Sequence, residues 1–369
     1  MHLPPFALER YFAQYEFDVP YILCASDCES LAVGDLLALE PDAAQRFHAH
    51  WLGYTETQGS PTLRQAIASI YETIKPEHVL VHSGAEEGVY IFMHAALQPG
   101  DHVIVHSPCY QSLAEVAKAT GCRVTTWLAH EENGWALELD ELRRAIRPDT
   151  RAIVVNTPHN PTGYLMSHDG WRELQRLAQE RGILLFSDEV YRESEHSPSD
   201  RLPAACDVNP NAVSLGVMSK TYGLAGLRIG WIATHNADIL RRMAALKDYT
   251  TICNSAPSEF LAELALRHRR QIVQRNLAII ARNLDVLDAF FARHAGRFVW
   301  RRPTSGAIAF PRLLGADVDD FCRDLATRAG VLLLPGTVYG DAGNHFRIGF
   351  GRQNMPEAVA RLDEYLAVY

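Results

Sequence analysis

Residues 152–187, AIVVNTPHNPTGYLMSHDGWRELQRLAQERGILLFS, decide the fold class of this chain. The run Ala152–Asn156 is short and rich in Val and Ile, which predicts a buried strand. Trp171–Arg181 carries apolar residues at helical spacing and is followed by Gly182, a common helix end, so it predicts a helix. Ile183–Ser187 predicts a second buried strand. A strand, a helix and a strand in this order favour a parallel pair with a helical crossover.

The same rhythm continues on both sides of this unit. Val103–His106, Ala212–Gly216 and Ile229–Ala233 are further strand candidates, and Ser112–Thr120 is a further helix candidate. Strands that are apolar along their whole length are typical of a sheet buried on both faces. We therefore predict a three-layer α/β fold, a mostly parallel sheet flanked by helices.

The chain is long enough for two domains. From about Leu261 the strand–helix alternation gives way to a smaller α+β pattern, with a long helical stretch through Asn283–Phe291 and strand candidates at Ala307–Pro311 and Val331–Leu334. The first 45 residues do not show this alternation of strands and helices. They could pack with the C-terminal unit or wrap around a neighbouring subunit. We predict a large domain over residues 46–280 and a small domain formed by both chain ends, residues 1–45 plus 281–369.

Composition excludes several classes of protein. The chain has 369 residues, 47% hydrophobic and 21% charged, with a net charge of −9 and no basic tract, which argues against nucleic-acid binding. No apolar run approaches the length of a membrane span, and no secretory signal is visible at the start. The seven cysteines are scattered and form no zinc-binding pattern, so we expect reduced thiols, no metal site and a cytoplasmic protein.

Three polar groups follow three of the predicted strands. Asn160 follows the first, Asp188 the second and Lys220 the third, and ligands in open α/β sheets bind beyond the carboxyl ends of strands. Taken singly, each has an ordinary structural explanation as a turn, a helix cap or a surface charge. Together they match the needs of pyridoxal 5′-phosphate (PLP): a lysine for a Schiff base and a carboxylate for the ring nitrogen.

Three sequence blocks carry a family resemblance. SKTYGLAGLRIG over residues 219–230 resembles the lysine signature of class I/II aminotransferases, which are PLP enzymes of fold type I. NPTG at 160–163 and DEVY at 188–191 resemble the other two blocks of that family, in the same order. The resemblance covers the chain from about Tyr54 to the FRIGF segment at 346–350.

The resemblance implies roles for six residues. Lys220 would hold PLP covalently and then move the substrate α-proton, and Asp188 would pair with the ring nitrogen. Asn160 and Tyr191 would hydrogen-bond the ring phenolic oxygen. Arg228, helped by Ser219, would bind the phosphate.

Softer matches extend the predicted site, with ordinary packing or capping as the alternative in each case. Gly84, Ala85 and Glu86 open a helix whose free amide groups suit a phosphate. Tyr110 resembles the aromatic residue that stacks on the PLP ring. Tyr54 resembles the tyrosine that reaches the phosphate of the other subunit, which implies a homodimer with shared active sites.

The substrate side of the site is less clearly marked. Arg347 resembles the arginine that takes the substrate α-carboxylate, with Asn160 beside it. No second arginine is recognisable for a distal carboxylate, although Arg10 and the Arg301–Arg302 pair stay open. The acidic segment Ser26–Ser30 could favour a cationic or polar side chain, and a solvated loop is the alternative. Val217 stands where the family has Ser or Thr, so one phosphate hydrogen bond is missing or replaced.

The leading hypothesis is a PLP-dependent aminotransferase that moves an amino group between an L-amino acid and a 2-oxo acid. The first alternative is a PLP-dependent lyase or a cyclase of the capreomycidine-forming kind, because the protein pocket only chooses which bond breaks. A remote alternative is a non-catalytic PLP-binding regulator.

Overall fold

The computed structural model describes residues 2–340 and 343–368. The strands are β1 Tyr21–Ile22, β2 Val79–His82, β3 His102–Ser107, β4 Arg123–Leu128, β5 Thr150–Asn156, β6 Leu184–Asp188, β7 Ala212–Val217, β8 Gly230–Ala233, β9 Phe298–Val299, β10 Ile308–Ala309, β11 Arg312–Leu313, β12 Val331–Leu332, β13 Leu334–Pro335 and β14 Phe346–Gly349. The helices are α1 Ala7–Tyr15, α2 Val33–Leu37, α3 Ala43–His48, α4 Pro61–Ala68, α5 Ala85–Ala96, α6 Ser112–Ala119, α7 Leu139–Ala145, α8 His168–Glu180, α9 Ala205–Val208, α10 Ala237–Lys247, α11 Ala256–Arg267, α12 Arg269–Arg293, α13 Val318–Ala329 and α14 Met355–Val368.

A seven-stranded sheet forms the centre of the molecule, in the order β2-β8-β7-β6-β5-β3-β4. The strands from β7 through β6, β5 and β3 to β4 pair in parallel, whereas β8 is antiparallel to both of its neighbours. The prediction of a mostly parallel sheet is therefore confirmed. A parallel pair needs a crossover, and helices such as α8 between β5 and β6 provide it.

Alternate side chains of each strand pack against helices on opposite faces. In β5, Ala152 and Val154 join the cluster that includes residues of α5, α6 and α10. Ile153 and Val155 join a second cluster with residues of α8. Successive side chains of a strand point to opposite faces, so both faces are apolar and both are covered. The three-layer α/β fold class is confirmed.

A third apolar cluster, separate from the two on the faces of the central sheet, lies in the C-terminal part of the chain. It combines side chains of α12, α13 and α14 with Leu23, which belongs to the N-terminal segment. In addition, β1 pairs in parallel with β12, with Tyr21 opposite Val331. The N-terminal segment thus packs on this unit. We propose that the chain has the two domains described above. Leu36 and Ala43 pack with α4 and α11 of the large domain, which favours a boundary between the N-terminal segment and the large domain before residue 45.

Several predicted elements differ in extent from the observed ones. The predicted strand Ala307–Pro311 is wrong as a single element, because β10 pairs with β14 while β11, on the other side of Pro311, pairs with β9. Proline has no N–H to donate, so it interrupts a ladder. The run Val331–Leu334 is likewise divided, since β12 pairs with β1 and β13 pairs with β14. Helix α12 begins well before the predicted Asn283–Phe291 stretch and contains residue 280, the predicted domain boundary.

None of the helices in residues 2–340 and 343–368 is both long and apolar enough to cross a membrane.

Candidate active site

The polar residues at the ends of β5 and β6 are fixed by the register of the sheet. Asn156 lies opposite Asp188 in adjacent parallel strands, and its side-chain amide donates to the Asp188 carbonyl oxygen at 2.9 Å. The Asn156 side-chain oxygen accepts from the backbone N–H of Asn160 at 2.7 Å. The strand ends thus hold the following loop, and with it the Asn160 side chain, at the carboxyl edge of the sheet.

A cavity of about 460 Å³ opens at this edge, a size usual for small-molecule sites. It brings together ten of the twelve predicted site residues. They are Ala85, Glu86, Tyr110, Asn160, Asp188, Tyr191, Ser219, Lys220, Arg228 and Arg347.

Gly84, the eleventh predicted residue, lies directly against Arg228. A Cβ atom on Gly84 would come within 2.5 Å of an Arg228 guanidinium nitrogen, and the glycine has φ +83°. Gly230 is equally constrained, since its Cβ would lie 2.7 Å from the Ala85 backbone nitrogen. Glycine at these two positions allows Arg228 and the first amide groups of α5 to approach one another, and both suit an anion.

Lys220 lies three residues after the end of β7, and its ammonium group donates to the Ser26 hydroxyl at 2.8 Å. Burial lowers the pKa of Lys220 from its usual range, while Asp27 and Asp188 act in the opposite direction. A lysine with a lowered pKa is a better nucleophile and base near neutral pH.

Asp188 is a buried carboxyl group that accepts a hydrogen bond from the backbone N–H of Val190 at 3.2 Å. Burial raises its pKa to about 7, although the Val190 N–H and Lys220 act to lower it. Among the described residues, no cationic side chain lies within ion-pair distance of this group. A cationic ligand atom beside Asp188 would therefore stabilise its charged form.

The Tyr191 hydroxyl also lacks a partner. Its side chain is buried and lines the cavity, and within the described part of the chain the hydroxyl makes no hydrogen bond of good geometry. Burial raises the pKa of Tyr191, while Arg347 and the nearby Ser26 hydroxyl lower it. A buried hydroxyl without a partner costs free energy, so a ligand oxygen is the expected partner.

Arg347 on β14 is a buried cation without a paired anion in the described residues. Its guanidinium donates to the Cys24 carbonyl oxygen at 3.1 Å, to the Tyr339 hydroxyl at 2.8 Å and to the Asn160 side-chain oxygen at 3.3 Å. These neutral acceptors orient the group, and its charge is left for a ligand anion such as a carboxylate.

The remaining predicted residues lie as follows. Tyr110 donates from its hydroxyl to Glu9 at 3.0 Å, and the Glu86 side chain accepts from the Ser112 hydroxyl at 2.9 Å. Tyr54, the twelfth predicted residue, is 88% exposed and does not line the cavity of its own chain. Val217 is buried and lines the cavity, so no hydroxyl occupies that position.

Sequence reasoning missed the contribution of α1 to the cavity. Glu9 and Phe12 of this helix and Glu16 directly after it line the opening. The helix itself could have been found, because Leu8, Phe12 and their neighbours repeat at helical spacing without a breaker. Its position over the cavity has no local signal. Tyr339, which orients Arg347, was missed for the same reason.

Of the arginines left open for a distal carboxylate, Arg10, Arg301 and Arg302 do not line the cavity. Arg352 lines it instead, and it donates three hydrogen bonds to the Asp27 carboxylate, at 2.7, 2.9 and 3.3 Å.

The sequence matches the family model described as aminotransferase class I and II over residues 23–362. The chain belongs to this family. PLP is the cofactor of the family, and the enzyme is accordingly a PLP-dependent member of the aminotransferase superfamily.

Individual relatives include enzymes named for different reactions. Capreomycidine synthase from Streptomyces vinaceus is 31% identical over 372 residues, which cover 100% of this chain and 95% of the relative. A PLP-dependent aminotransferase from Streptococcus suis 89-1591 has a similar structure, with a TM-score of 0.94, 32% identity and coverage of 100% and 99%. The PLP-dependent cyclase OrfR superposes with a TM-score of 0.90 at 29% identity, covering 100% of this chain and 98% of that one.

The cavity residues fit PLP on three observations of this structure. The cradle formed by Gly84, Ala85 and Arg228 suits a phosphate. Asp188 is a buried carboxyl group in need of a cation, and the Tyr191 hydroxyl is a buried donor in need of an acceptor. A protonated pyridine ring with a phenolic oxygen supplies both partners.

Proposed function

We propose that this enzyme is an aminotransferase that moves the amino group of an L-amino acid to a 2-oxo acid. The observation that carries the proposal is the convergence of Lys220, Asp188 and Arg347 on one cavity. They supply a base, a counter-charge for an electron-withdrawing ring and an anchor for a carboxylate, which are the three groups that this reaction needs from the protein.

The chain's own residues would act in the following way. When bound, PLP supplies an electron sink for the negative charge that develops at the substrate α-carbon. Arg347, held by Tyr339 and Asn160, binds the α-carboxylate and fixes the orientation of the substrate. Lys220 Nζ would take the proton from the substrate α-carbon and deliver it to the aldehyde-derived carbon of the cofactor, and its lowered pKa supports the neutral amine that this step requires.

Two further groups would tune the cofactor. Asp188 would keep the ring nitrogen protonated, because the pair of opposite charges is favoured in a buried place. Tyr191 and Asn160 would hydrogen-bond the phenolic oxygen. Arg228, Ser219 and the first amide groups of α5 would hold the phosphate, with Val217 leaving one contact fewer than a serine or threonine provides.

The expected functional unit is a homodimer. Trp51, Leu52 and Tyr54 form an exposed apolar segment before α4, and exposed apolar patches of this kind are typical of protein interfaces. In a homodimer, Tyr54 would reach the phosphate of the other subunit.

A PLP-dependent cyclase or lyase is the second candidate. It is favoured by the similarity to capreomycidine synthase and to the cyclase OrfR, which extends over the whole chain in both cases. These reactions also begin with removal of the α-proton, so Lys220, Asp188 and Arg347 would have the same roles.

Single-turnover spectroscopy separates the candidates. The PLP-loaded protein is mixed with an amino acid in the absence of a 2-oxo acid. For an aminotransferase we expect conversion of the visible cofactor band to pyridoxamine phosphate, with one equivalent of 2-oxo acid. Release of ammonia or of a ring-closed product with the band retained would contradict transamination and support a lyase or a cyclase.

A further inference from the structure

The N-terminal segment runs along the cavity in a fixed order of chemical groups. The Cys24 carbonyl oxygen contacts Arg347, the Ser26 hydroxyl contacts Lys220, and Asp27 follows directly. Arg347 marks the place of an α-carboxylate and Lys220 the place of an α-amino group. The substrate side chain is therefore expected to extend toward Asp27.

Acidic groups surround this end of the cavity. Asp27, with Glu9 on α1 and Glu16 just after α1, lines the wall that faces the opening. Glu16 makes no ion pair among the described residues, and Glu9 accepts only the Tyr110 hydroxyl there. Burial raises the pKa of Glu16, the negative charges of Glu9 and Asp27 raise it further, and Arg352 acts to lower it. The carboxylates therefore lie close enough to repel one another.

The cations of the cavity do not neutralise this end. Two cationic side chains lie beside these groups in the described chain: Lys220, which the proposed function assigns to PLP, and Arg352, which donates three hydrogen bonds to Asp27. With Lys220 bound to PLP, three carboxylates face one guanidinium, which leaves two negative charges. The same cavity holds the buried Tyr191 hydroxyl and the unpaired Arg347 charge, which the proposed function assigns to the cofactor and the α-carboxylate, so the acidic groups line a ligand site.

We propose that the substrate is an L-amino acid with a cationic side chain, a guanidinium or an ammonium group, which Glu9 and Glu16 bind beside the Asp27–Arg352 pair. The inference rests on the proposed function, because it takes Arg347 and Lys220 as the anchors of the α-carbon. A distal carboxylate would meet net negative charge at this end, since the Arg352 guanidinium is already paired. Opposite charges in a partly buried pocket discriminate strongly against neutral and anionic side chains.

Matched amino-acid pairs test this proposal. The PLP-loaded full chain is titrated with L-arginine and with L-citrulline, which has nearly the same shape and a neutral urea group, and then with L-lysine and L-norleucine. The fast initial shift of the visible band, read by stopped flow before the band is converted, gives a Kd that does not depend on transfer of the amino group. We expect the cationic member of at least one pair to bind roughly 10-fold more tightly, as one or two charge contacts provide. The better pair distinguishes a guanidinium from an ammonium group.

Variants then assign the effect to the acidic wall. Glu16→Gln is expected to weaken binding of the preferred cation roughly 3–10-fold and to leave its neutral partner nearly unchanged. Asp18→Asn removes an exposed carboxylate two residues away, outside the cavity, and is the matched control.

Three outcomes overturn the proposal: equal binding of both members in both pairs, tighter binding of L-aspartate or L-glutamate, or no spectral change with any of these amino acids. Charge-selective binding without transfer of the amino group supports the substrate class while it contradicts transamination. The two proposals therefore fail separately.

Discussion

Lys220 and Ser26 are 194 residues apart in sequence, yet the lysine Nζ and the serine Oγ lie 2.8 Å apart. This hydrogen bond joins the loop between β7 and β8 of the central sheet to the N-terminal segment, which pairs through β1 with the C-terminal unit. The reacting amine is thus held by a part of the chain that does not belong to the central sheet.

Lys220→Ala is expected to abolish covalent attachment of PLP, because no other lysine lines the cavity in the described chain. Turnover should become negligible. Reduction with borohydride followed by mass spectrometry checks the attachment, with Lys118→Ala, an exposed lysine, as the control. Full activity of Lys220→Ala would contradict the assigned role.

Asp188→Asn is expected to change the pH dependence of stability in the PLP-free protein. The pKa of Asp188 is raised to about 7 by burial, from 3.8. The folded chain then binds this proton more tightly than the unfolded chain, so the free energy of unfolding falls as pH rises from about 4 to about 7. The variant should lose less stability over that range, by roughly 1–3 kcal/mol at pH 8.

Urea unfolding at pH 5 and pH 8 measures this effect. Bound PLP should reduce the difference, because a protonated ring nitrogen supplies the missing counter-charge. Parallel pH profiles of the two proteins without PLP would show that Asp188 does not titrate as argued. In the loaded enzyme, Asp188→Asn should also slow α-proton removal by orders of magnitude.

Tyr339→Phe is expected to weaken binding of the amino acid through Arg347. It removes the hydroxyl that accepts from Arg347 at 2.8 Å and leaves the ring in place. A lost hydrogen bond to a charged group costs about 1–2 kcal/mol, so KM should rise roughly 5–30-fold with a smaller change in kcat. Tyr365→Phe, which removes a hydroxyl bonded to Asp324, is the control. An unchanged KM would refute the positioning role.

Val217→Thr is expected to tighten PLP binding. Val217 lines the cavity in the position where the family has a hydroxyl, and threonine has nearly the same shape. One added hydrogen bond of about 0.5–1.5 kcal/mol should lower the Kd for PLP roughly 2–10-fold. Equilibrium dialysis of the PLP-free protein measures it, and a weaker Kd would mean that the phosphate does not reach this strand.

Leu52→Asp is expected to convert a homodimer into monomers, since Leu52 lies between the exposed Trp51 and Tyr54. Burying the aspartate charge in an apolar interface would remove its hydrating water without providing a partner, which destabilises the dimer. Sedimentation velocity compares this variant with Val368→Asp, which alters an exposed side chain near the C-terminus. If the unsubstituted protein sediments as a monomer, the shared active site proposed for Tyr54 is wrong.

Much of the fold could be predicted because its signals are local. Apolar strands such as β5 and β6 indicate a sheet that is covered on both faces. The apolar stripe of α8 indicates the helix that connects these two parallel strands. The prediction of Ala307–Pro311 and Val331–Leu334 as single strands was wrong, because the residues of a strand do not determine which other strand it pairs with. Pro311 marks such a change of partner, and at Leu333 only the fold reveals it.

The sequence by itself determined the sheet and the placement of Asn160, Asp188 and Lys220 at its carboxyl edge, because parallel strands end on one side. The tertiary structure alone decided what completes the cavity. Arg347 meets the Cys24 carbonyl across 323 residues of sequence, and α1 brings Glu9 and Glu16 to the opening. No local pattern encodes these contacts, since they depend on how the chain ends pack together, and they form the part of the cavity that we propose selects the substrate.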